Sequence, residues 1–481
     1  MLSISDSSIR QSFFPALKRQ YNIRISKGRI LFKDLRTEDC TPLDSKEILL
    51  FSLLDGKNTI AIITHVLANS INLALPEATE YVQCFLDKNK GKIDFLNSPA
   101  DSPCVADLSK LLDFRSRRWP YSALREENPY SLELILTEEC NHRCVYCYKS
   151  CAKAKTDQCS SSMWSALIDD AAAIGVQEMT FSGGEPTLHP DFLSLIKKAT
   201  HNGIYPKIST NGSLLDSGFI DSLSEAGAEY IHLSLPAVSH GIYDKITASK
   251  GHFDKTTQAI RHLKKRGFYI RAKMVIIPEN LDEVRPLIEF CIDEGIDFIH
   301  LAPFILTSKG RGSKEMLTQA KQIRAIQEIC MEETTIYGKA IKIAEPPVYC
   351  YRWAGCNDII KCGGIKESLT ILSNGDITFC DALGENKDFL LGNIKTNSLQ
   401  SIWLSDLPDA ITRIKGKNLE KACKDCPFLK DCGTGCFAFS LLTNGDPWSP
   451  DPRCWKSKTA ENPFAEIAGI DGNDTARLPN E

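Results

Sequence analysis

The stretch SLELILTEECNHRCVYC, residues 131–147, combines a strand signal with the most specific motif of the chain. Its first part, from Leu132 to Leu136, is an apolar run of the length of a buried strand. Its second part places Cys140, Cys144 and Cys147 at CxxxCxxC spacing directly after that strand. With 19 cysteines in 481 residues, chance gives roughly 0.03 such triplets. We therefore expect the triplet to be a functional site.

From Ser131 to about Met331, strand-like runs alternate with amphipathic helical runs. Six such units occur, and their strands are LELIL, EMTF, YPKIST, YIHLSL, YIRAKMVI and DFIHLA. Units of this spacing predict an α/β fold in which parallel strands with right-handed crossovers form a full or partial barrel. The active site of such a barrel lies at the carboxyl ends of its strands, where the cysteine triplet falls.

The flanks differ from this region. Residues 1–97 are predicted to be a small separate module: a hairpin (Tyr21–Ser26 and Arg29–Lys33) and three helices that begin near Asp44 or Ser45, near Asn58 or Thr59, and near Pro76. A few strands followed by three helices is a winged-helix-like outline. Residues 98–129 are interpreted as a linker, residues 336–455 as a cysteine-rich domain folded by metal rather than by a core, and residues 456–481 as a C-terminal tail.

Composition excludes several classes of protein. The net charge is -4, with a pI near 6.2, which gives no overall basic footprint for nucleic acid or an anionic membrane. No apolar run approaches the ~18 residues of a membrane span, and the amino-terminal sequence lacks the pattern of a signal peptide. We expect a cytoplasmic protein, and a reducing cytosol favours metal ligation over disulfides for its cysteines.

Three neighbouring thiolates suit an iron-sulfur cluster, and because a four-iron cluster takes four ligands, one iron stays open. The CxxxCxxC triplet, with Tyr146 before its last cysteine, resembles that of the radical S-adenosylmethionine (radical SAM) superfamily. This resemblance implies a partial (β/α)6 barrel, a 4Fe-4S cluster whose open iron chelates SAM, and a 5'-deoxyadenosyl radical that abstracts a substrate hydrogen. A zinc knuckle or a chance cluster of cysteines is the structural alternative.

The same resemblance implies SAM contacts at other strand ends. Residues 182–186, SGGEP, are similar to the family's GGEP motif, whose backbone and glutamate hold the SAM amino group. Residues at the ends of the third and fourth strands match positions that contact the ribose and carboxylate, although such residues are also common in turns. Tyr146 would pack beside the adenine or form part of the wall. The implied cofactor-binding residues are Tyr146, Gly183, Gly184, Glu185, Ser209, Asn211 and Ser234. Residues 302–303 and 310–312, after the sixth strand, also fit the family pattern, without an assigned role.

A second resemblance covers the cysteine-rich segment. Its cysteine spacing is similar to the seven-cysteine SPASM signature, with Cys356 as an eighth cysteine six residues before Cys362. The resemblance implies two auxiliary 4Fe-4S clusters, one held by Cys356, Cys362, Cys380 and Cys436, the other by Cys423, Cys426, Cys432 and Cys454. Two zinc sites are the alternative. Asp381, after Cys380, occupies the place where sulfatase-maturing relatives carry a catalytic base, though a lone loop aspartate is more often a turn residue.

The N-terminal module indicates the substrate class. Its strands, helices and LDGKNTI segment, residues 54–60, resemble PqqD-like domains, which bind the leader of a ribosomally made precursor peptide by adding it to a sheet edge. A DNA-binding winged helix is the alternative. Together the resemblances imply a peptide maturase. Thioether formation is the first choice, followed by carbon-carbon crosslinking and sulfatase-type maturation, and a non-catalytic electron-transfer protein is the rival class. An electron donor such as flavodoxin or ferredoxin is implied.

Overall fold

The structure is a computed structural model. It describes residues 13–26, 29–37, 39–100, 128–151, 153, 157–307, 310–318, 320–337, 342–344, 363–405, 421–424, 435–446 and 449–452. The predicted linker and C-terminal tail therefore fall almost entirely outside the described residues. The same holds for five of the proposed cluster ligands: Cys356, Cys362, Cys426, Cys432 and Cys454.

The N-terminal module contains two small sheets and three helices. Its strands are β1 (Phe14–Leu17), β2 (Tyr21–Ser26), β3 (Arg29–Asp34), β4 (Cys40–Pro42) and β5 (Ile93–Leu96). Strands β2, β3 and β4 form one antiparallel sheet in that order, and β1 pairs with β5. The hairpin prediction is confirmed. The pairing of β1 with β5 joins the two ends of the module, which no local pattern indicates.

Three helices follow β4: α1 (Ser45–Leu53), α2 (Ile60–Ile71) and α3 (Leu75–Lys88). Their predicted starts are confirmed and have a physical cause in helix capping. Asp44 accepts hydrogen bonds from the backbone of α1 and forms a capping box with Glu47, Thr59 caps α2, and a proline lies in the first turn of α3. Among the described residues no single helix is long and apolar enough to cross a membrane; α2 and α3, bent by 118°, meet these criteria only as a pair.

A ten-stranded sheet lies at the centre of the rest of the described chain. Six parallel strands follow one another in chain order, as predicted: β6 (Ser131–Thr137), β7 (Glu178–Gly183), β8 (Tyr205–Thr210), β9 (Tyr230–Ser234), β10 (Tyr269–Ile276) and β11 (Phe298–Pro303). Two short strands extend them in parallel, β12 (Lys342–Ala344) beside β11 and β13 (Ser368–Ile371) beside β6. Strands β14 (Asp376–Thr378) and β15 (Leu390–Asn393) add antiparallel pairs after β13. The cysteine-rich segment thus continues the barrel sheet.

Helices cover the outer face of this sheet. They are α4 (Ser161–Ala173), α5 (Phe192–His201), α6 (Ser217–Glu225), α7 (His240–Thr247), α8 (His252–Lys265), α9 (Val284–Asp293) and α10 (Ala320–Tyr337). Shorter helices follow: α11 (Gly363–Lys366), α12 (Leu399–Leu404), α13 (Lys421–Lys424) and α14 (Phe437–Asn444). One face of each central strand packs in the core with these helices, for example Leu132, Leu134 and Leu136 of β6. The alternate residues face the barrel interior.

The sequence predicted that the N-terminal module is separate from the barrel. In the structure, the module instead packs against the amino-terminal ends of the barrel strands. Lys33 of β3 lies 3.0 Å from a carboxylate oxygen of Glu178, whose other oxygen is 2.7 Å from Lys207. Leu35 is buried among Tyr130, Tyr205, Tyr230 and Tyr269, at the starts of barrel strands. The module therefore covers the end of the barrel opposite the cysteine triplet.

Candidate active site

The cysteine triplet lies on the loop after β6, at the carboxyl ends of the barrel strands, as predicted. Two backbone hydrogen bonds of 2.9 Å fasten this loop to the end of α7, from Arg143 to Thr247 and from Val145 to Ile246. The backbone N–H of Cys147 donates to the carbonyl of Cys144 over 3.1 Å. The loop thus holds all three cysteines near one another, close enough for their charges to interact.

The three thiols differ in their proton affinity. Burial raises the pKa of Cys140 to about 11 and that of Cys144 to about 12. A hydrogen bond from Cys151 lowers the pKa of Cys147 to about 6. Metal ligation requires thiolates, so a metal centre bound here displaces protons from Cys140 and Cys144.

The residues of the triplet fit an iron-sulfur cluster better than one zinc ion. Among the residues that the structure describes, no group of three or more His, Cys, Asp or Glu side chains is arranged to hold a single metal ion. Zinc would draw its sulfur ligands to ~2.3 Å from one centre, whereas the cysteines of a four-iron cluster bind different irons and stand farther apart. The three thiols of the triplet are in no disulfide and are partly accessible, so all three are available to bind a cluster.

Glycine is required at two positions where β7 ends against the loop. A Cβ atom on Gly183, which has a φ of +151°, would stand 2.4 Å from the carbonyl oxygen of Thr137. One on Gly184 would stand 2.2 Å from that of Glu139. The backbone N–H of Gly184 uses this close approach to donate to Thr137 over 2.8 Å. These glycines therefore bring the end of β7 against the segment that leads into the triplet.

Glu185 and Asn211, both predicted SAM contacts, link strand ends to one another. The fully buried carboxylate of Glu185 accepts hydrogen bonds from the Thr210 hydroxyl at 2.7 Å and the Asn211 backbone at 2.8 Å. The Asn211 amide donates to Asn141, inside the cysteine loop, over 2.8 Å. Burial raises the pKa of Glu185, although these hydrogen bonds oppose the rise. The network fixes the loop to β7 and β8.

The other predicted SAM contacts lie around the same mouth of the barrel. Ser209 and Ser234 are half-buried at the ends of β8 and β9. Tyr146 packs with Ile246, Ile277 and Phe304, so at least part of its ring is wall. The structure therefore brings the predicted residues together at one end of the barrel, while their contact with SAM stays a prediction.

Charged side chains line the barrel interior. Lys273 of β10 lies between Ala272 and Met274, which are buried in the outer core, so it points inward. It is nevertheless accessible to solvent, which shows that the interior is open. Burial, together with the cations of Arg271, Lys207 and Lys273, holds the pKa of His232 well below its usual range. The interior is therefore polar and bears positive charge.

Asp381 lies against the cysteine loop. Its carboxylate accepts a hydrogen bond from the Tyr148 hydroxyl and pairs with the Lys149 ammonium, 2.5 Å from Oδ1. Tyr148 and Lys149 directly follow Cys147, and Asp381 directly follows Cys380. One contact therefore joins the loop of the triplet to a proposed auxiliary ligand.

Two further proposed auxiliary ligands belong to the described part of the chain. Cys436 precedes α14, and its backbone N–H donates to Asp451 over 2.8 Å. Cys380 and Cys436 pack against the same cluster, which contains Phe379, Leu383, Phe389 and Ala438. This proximity agrees with their assignment to one site. Cys423 is buried in α13.

Sequence reasoning missed several residues of the site. It assigned no role to Tyr148, Lys149 or Arg311, or to the pair of His142 and His252, whose ring nitrogens are 2.7 Å apart. Burial lowers the pKa of His142 to about 4, and His252 adds to the effect. The position of Tyr148 and Lys149 beside Cys147 was a signal, but their partner is more than 230 residues away.

Comparison with known protein families gives two matches. The Radical SAM superfamily matches residues 134–291, which run from β6 into α9. SPASM, described as an iron-sulfur cluster-binding domain, matches residues 362–427. The chain therefore binds SAM and iron-sulfur clusters.

Curated relatives with different activities match this chain at similar identity. PqqA peptide cyclase of Ruegeria pomeroyi is 27% identical over 363 residues, which are 73% of this chain and 96% of the relative. Fe-coproporphyrin III synthase of Methanosarcina barkeri is 26% identical over 352 residues, 67% of this chain and 87% of the relative. The names of these relatives specify different reactions, cyclisation of a peptide and synthesis of Fe-coproporphyrin III.

Solved structures share the fold. Streptococcus suis SuiB bound to S-adenosylmethionine has a TM-score of 0.63 at 19% identity, covering 91% of this chain and 99% of that chain. SuiB bound to precursor peptide SuiA gives 0.64 at 19% identity, with 92% and 99% coverage. Native anSMEcpe with bound AdoMet gives 0.55 at 18% identity, with 68% and 94% coverage. With its barrel, its cysteine loop and the two matches, this chain is an enzyme that contains a Radical SAM domain and an iron-sulfur cluster-binding SPASM domain.

Proposed function

We propose that this chain is a radical SAM maturase of a ribosomally synthesised precursor peptide. The observation that carries the proposal is the contact of Asp381 with Tyr148 and Lys149. It sets the residue after Cys380 against the residues after Cys147, over the open mouth of the barrel. A substrate in that mouth would meet a SAM-derived radical on one side and an auxiliary cluster on the other.

The proposed ligand sets follow the sequence resemblances. Cys140, Cys144 and Cys147 would hold the cluster that binds SAM, and this cluster would supply the electron that cleaves SAM to methionine and a 5'-deoxyadenosyl radical. The packing of Cys380 with Cys436 supports one auxiliary set, which also includes Cys356 and Cys362. Cys423, Cys426, Cys432 and Cys454 form the other auxiliary set. The protein would then hold three 4Fe-4S clusters.

The residues of the mouth have separable tasks. Gly183 and Gly184 let SAM approach the backbone, and Ser209, Ser234 and Tyr146 surround it. Glu185 and Asn211 hold the loop in place through the hydrogen bonds described above. Asp381, whose carboxylate pairs with Lys149, accepts a proton from the substrate.

The bond that we favour is a thioether between a peptide cysteine and a carbon. This reaction removes a hydrogen atom from the carbon, a proton from the thiol and one electron, and it forms one C–S bond. An auxiliary cluster would accept this electron, and an external donor such as flavodoxin or ferredoxin would supply the separate electron that cleaves SAM. A carbon-carbon crosslink loses the same two hydrogens, so mass alone does not separate the two products.

The N-terminal module is proposed to be a PqqD-like domain that binds the leader. Its three-stranded sheet ends, among the described strands, at β4, whose three residues are exposed. Its two ends are joined by β1 and β5, and it has its own hydrophobic core. The comparison with SuiB covers 91% of this chain. The uncovered part of the chain is shorter than half of the N-terminal module, so at least half of the module has a counterpart in SuiB. A leader added to a sheet edge would bind mainly through its backbone.

A labelled substrate tests the proposal. A candidate precursor peptide, chosen from the short reading frames that neighbour this gene and prepared with deuterium at its α-carbons and β-carbons, is incubated anaerobically with the enzyme, SAM and a reductant. We expect 5'-deoxyadenosine that contains deuterium and a peptide lighter by the two lost hydrogens. Each thioether should also make one cysteine resistant to alkylation. An unlabelled 5'-deoxyadenosine with an unchanged peptide, together with conversion of Fe-coproporphyrin precursors, would contradict it.

A further inference from the structure

The loop after β11 contacts the loop of the cysteine triplet through Arg311. The backbone N–H of Arg311 donates to the carbonyl of Cys147 over 2.9 Å. One guanidinium nitrogen, Nη2, donates to the carbonyls of Cys151 at 2.7 Å and Ser150 at 3.1 Å. Arg311 therefore binds both the start of the turn that follows Cys147 and its end at Ser150 and Cys151.

The neighbouring residues fit this close contact. A Cβ atom on Gly310 would lie 3.1 Å from Cα of Tyr148 and 3.3 Å from the carbonyl oxygen of Cys147. The Thr307 hydroxyl donates to the carbonyl of Tyr148 over 2.5 Å and accepts from the backbone of Gly310 over 2.9 Å. The small size of Gly310 and the hydrogen bonds of Thr307 therefore allow the loop after β11 to pack closely against the cysteine loop, next to Arg311.

One guanidinium nitrogen of Arg311 has no partner in the described part of the protein. Its Nη1 is buried and makes no hydrogen bond with any described residue. A buried donor of a charged group that lacks an acceptor is destabilising, so such a group normally has a hydrogen-bond partner. These observations point to an electron-rich acceptor that binds beside Cys147.

We propose that Arg311 is a positioning residue for the SAM-binding cluster, whose sulfur atoms accept a hydrogen bond from its Nη1. The inference rests on the proposed ligation by Cys140, Cys144 and Cys147. Donors and positive charge beside the sulfurs of a cluster stabilise its reduced, more negative state and raise its reduction potential. Arg311 thereby makes this cluster easier to reduce before SAM is cleaved.

The test compares Arg311→Gln and Arg311→Lys with the unchanged enzyme, all full-length and anaerobically reconstituted. Each is titrated with reductant, and the electron paramagnetic resonance signal that changes on SAM addition reports the reduced cluster. At the potential where half of the unchanged cluster is reduced, we expect Arg311→Gln to show an about tenfold lower ratio of reduced to oxidised cluster, about 59 mV for one electron. Arg311→Lys keeps the charge and should fall between the two.

A matched control loses the same charge elsewhere. Arg261→Gln removes an exposed arginine of α8 that pairs with Glu294 on the outer surface, and its titration should match that of the unchanged enzyme. Iron content should be the same in all four proteins. If Arg311→Gln loses cluster iron, Arg311→Lys still gives the comparison.

Two results would overturn the inference. One is an unchanged ratio in both Arg311 variants with full iron content. The other is an unchanged ratio with weaker SAM binding, which would make SAM the acceptor. Failure of the proposed function gives a different result. If the triplet did not hold the SAM-binding cluster, the SAM-responsive signal would remain after all three triplet cysteines were replaced with Ala.

Discussion

At the scale of single residues, Asp381 shows both the reach and the limit of sequence reasoning. Its position after Cys380 predicts a base near the substrate, and the structure places it at the mouth of the barrel. Its partners, Tyr148 and Lys149, lie more than 230 residues earlier in the chain, and no local pattern indicates such a contact. The carboxylate therefore has two possible tasks, proton transfer and attachment of the cysteine loop.

Replacement of Asp381 with Asn separates these tasks. The amide keeps the shape of the side chain but cannot accept a proton, so we expect product formation to fall about 10²-fold or more. Cleavage of SAM without peptide should be unchanged. The control Asp388→Asn removes an exposed carboxylate of the same segment. If both activities fell equally in Asp381→Asn, attachment of the loop would be its only task.

At the scale of helices and strands, the sequence predicts most of what the structure contains. All six central strands were expected, because short apolar runs bounded by helical patterns identify buried parallel strands. The strands β12 and β13 were not expected. They are short and are defined by pairing with β11 and β6, whose sequence positions are distant. Contacts of this kind depend on the assembled sheet rather than on any local pattern.

The contact between the ends of β6 and β7 gives a prediction at this scale. Gly184→Ala would place a methyl group within 2.2 Å of the Glu139 carbonyl oxygen, so the segment leading to Cys140 must shift. We expect a lower yield of 5'-deoxyadenosine and a reduced iron content. Gly241→Ala is the control, since nothing lies within 4 Å of its Cβ position and alanine favours a helix. Equal activity of both variants, measured by chromatography of the nucleoside, would contradict the close approach.

At the scale of the whole molecule, the N-terminal module and the active site occupy opposite ends of the barrel. The module contributes Lys33 to a buried group in which Glu178 also pairs with Lys207 and accepts a hydrogen bond from Tyr130 over 2.7 Å. Burial opposes ionisation of Glu178, but the two lysines outweigh it and hold its pKa well below the usual range. The N-terminal module therefore contributes to the stability of the barrel through Lys33.

Lys33→Met should lower the stability of the whole chain. Loss of one partner from a buried ionic group costs about 3 kcal/mol, which would appear as an earlier urea unfolding midpoint. A carboxyl with a depressed pKa contributes its stabilisation above its ordinary pKa of 4.5 and loses it as the pH falls below that value. The difference between the two proteins should therefore stay constant between pH 8 and pH 5.5. A difference that shrinks over this range would contradict the assignment.

The control for Lys33 lies in the same module. Lys88 is 74% exposed in its side chain and stands 3.9 Å from Glu47, so Lys88→Met should change stability by less than about 1 kcal/mol. The packing of the module against the barrel was not predicted, because Lys33 and Glu178 are 145 residues apart. An alternating strand pattern does not show which other domain the strand contacts.

The central claim is that the triplet holds the cluster that cleaves SAM. The most direct measurement is the 5'-deoxyadenosine formed by anaerobically reconstituted enzyme with SAM and dithionite, alongside its iron content. When Cys140, Cys144 and Cys147 are all replaced with Ala, the account predicts no 5'-deoxyadenosine and about eight irons per chain in place of about twelve, since two four-iron clusters survive. Continued formation of 5'-deoxyadenosine, or about twelve irons in the variant, would contradict it.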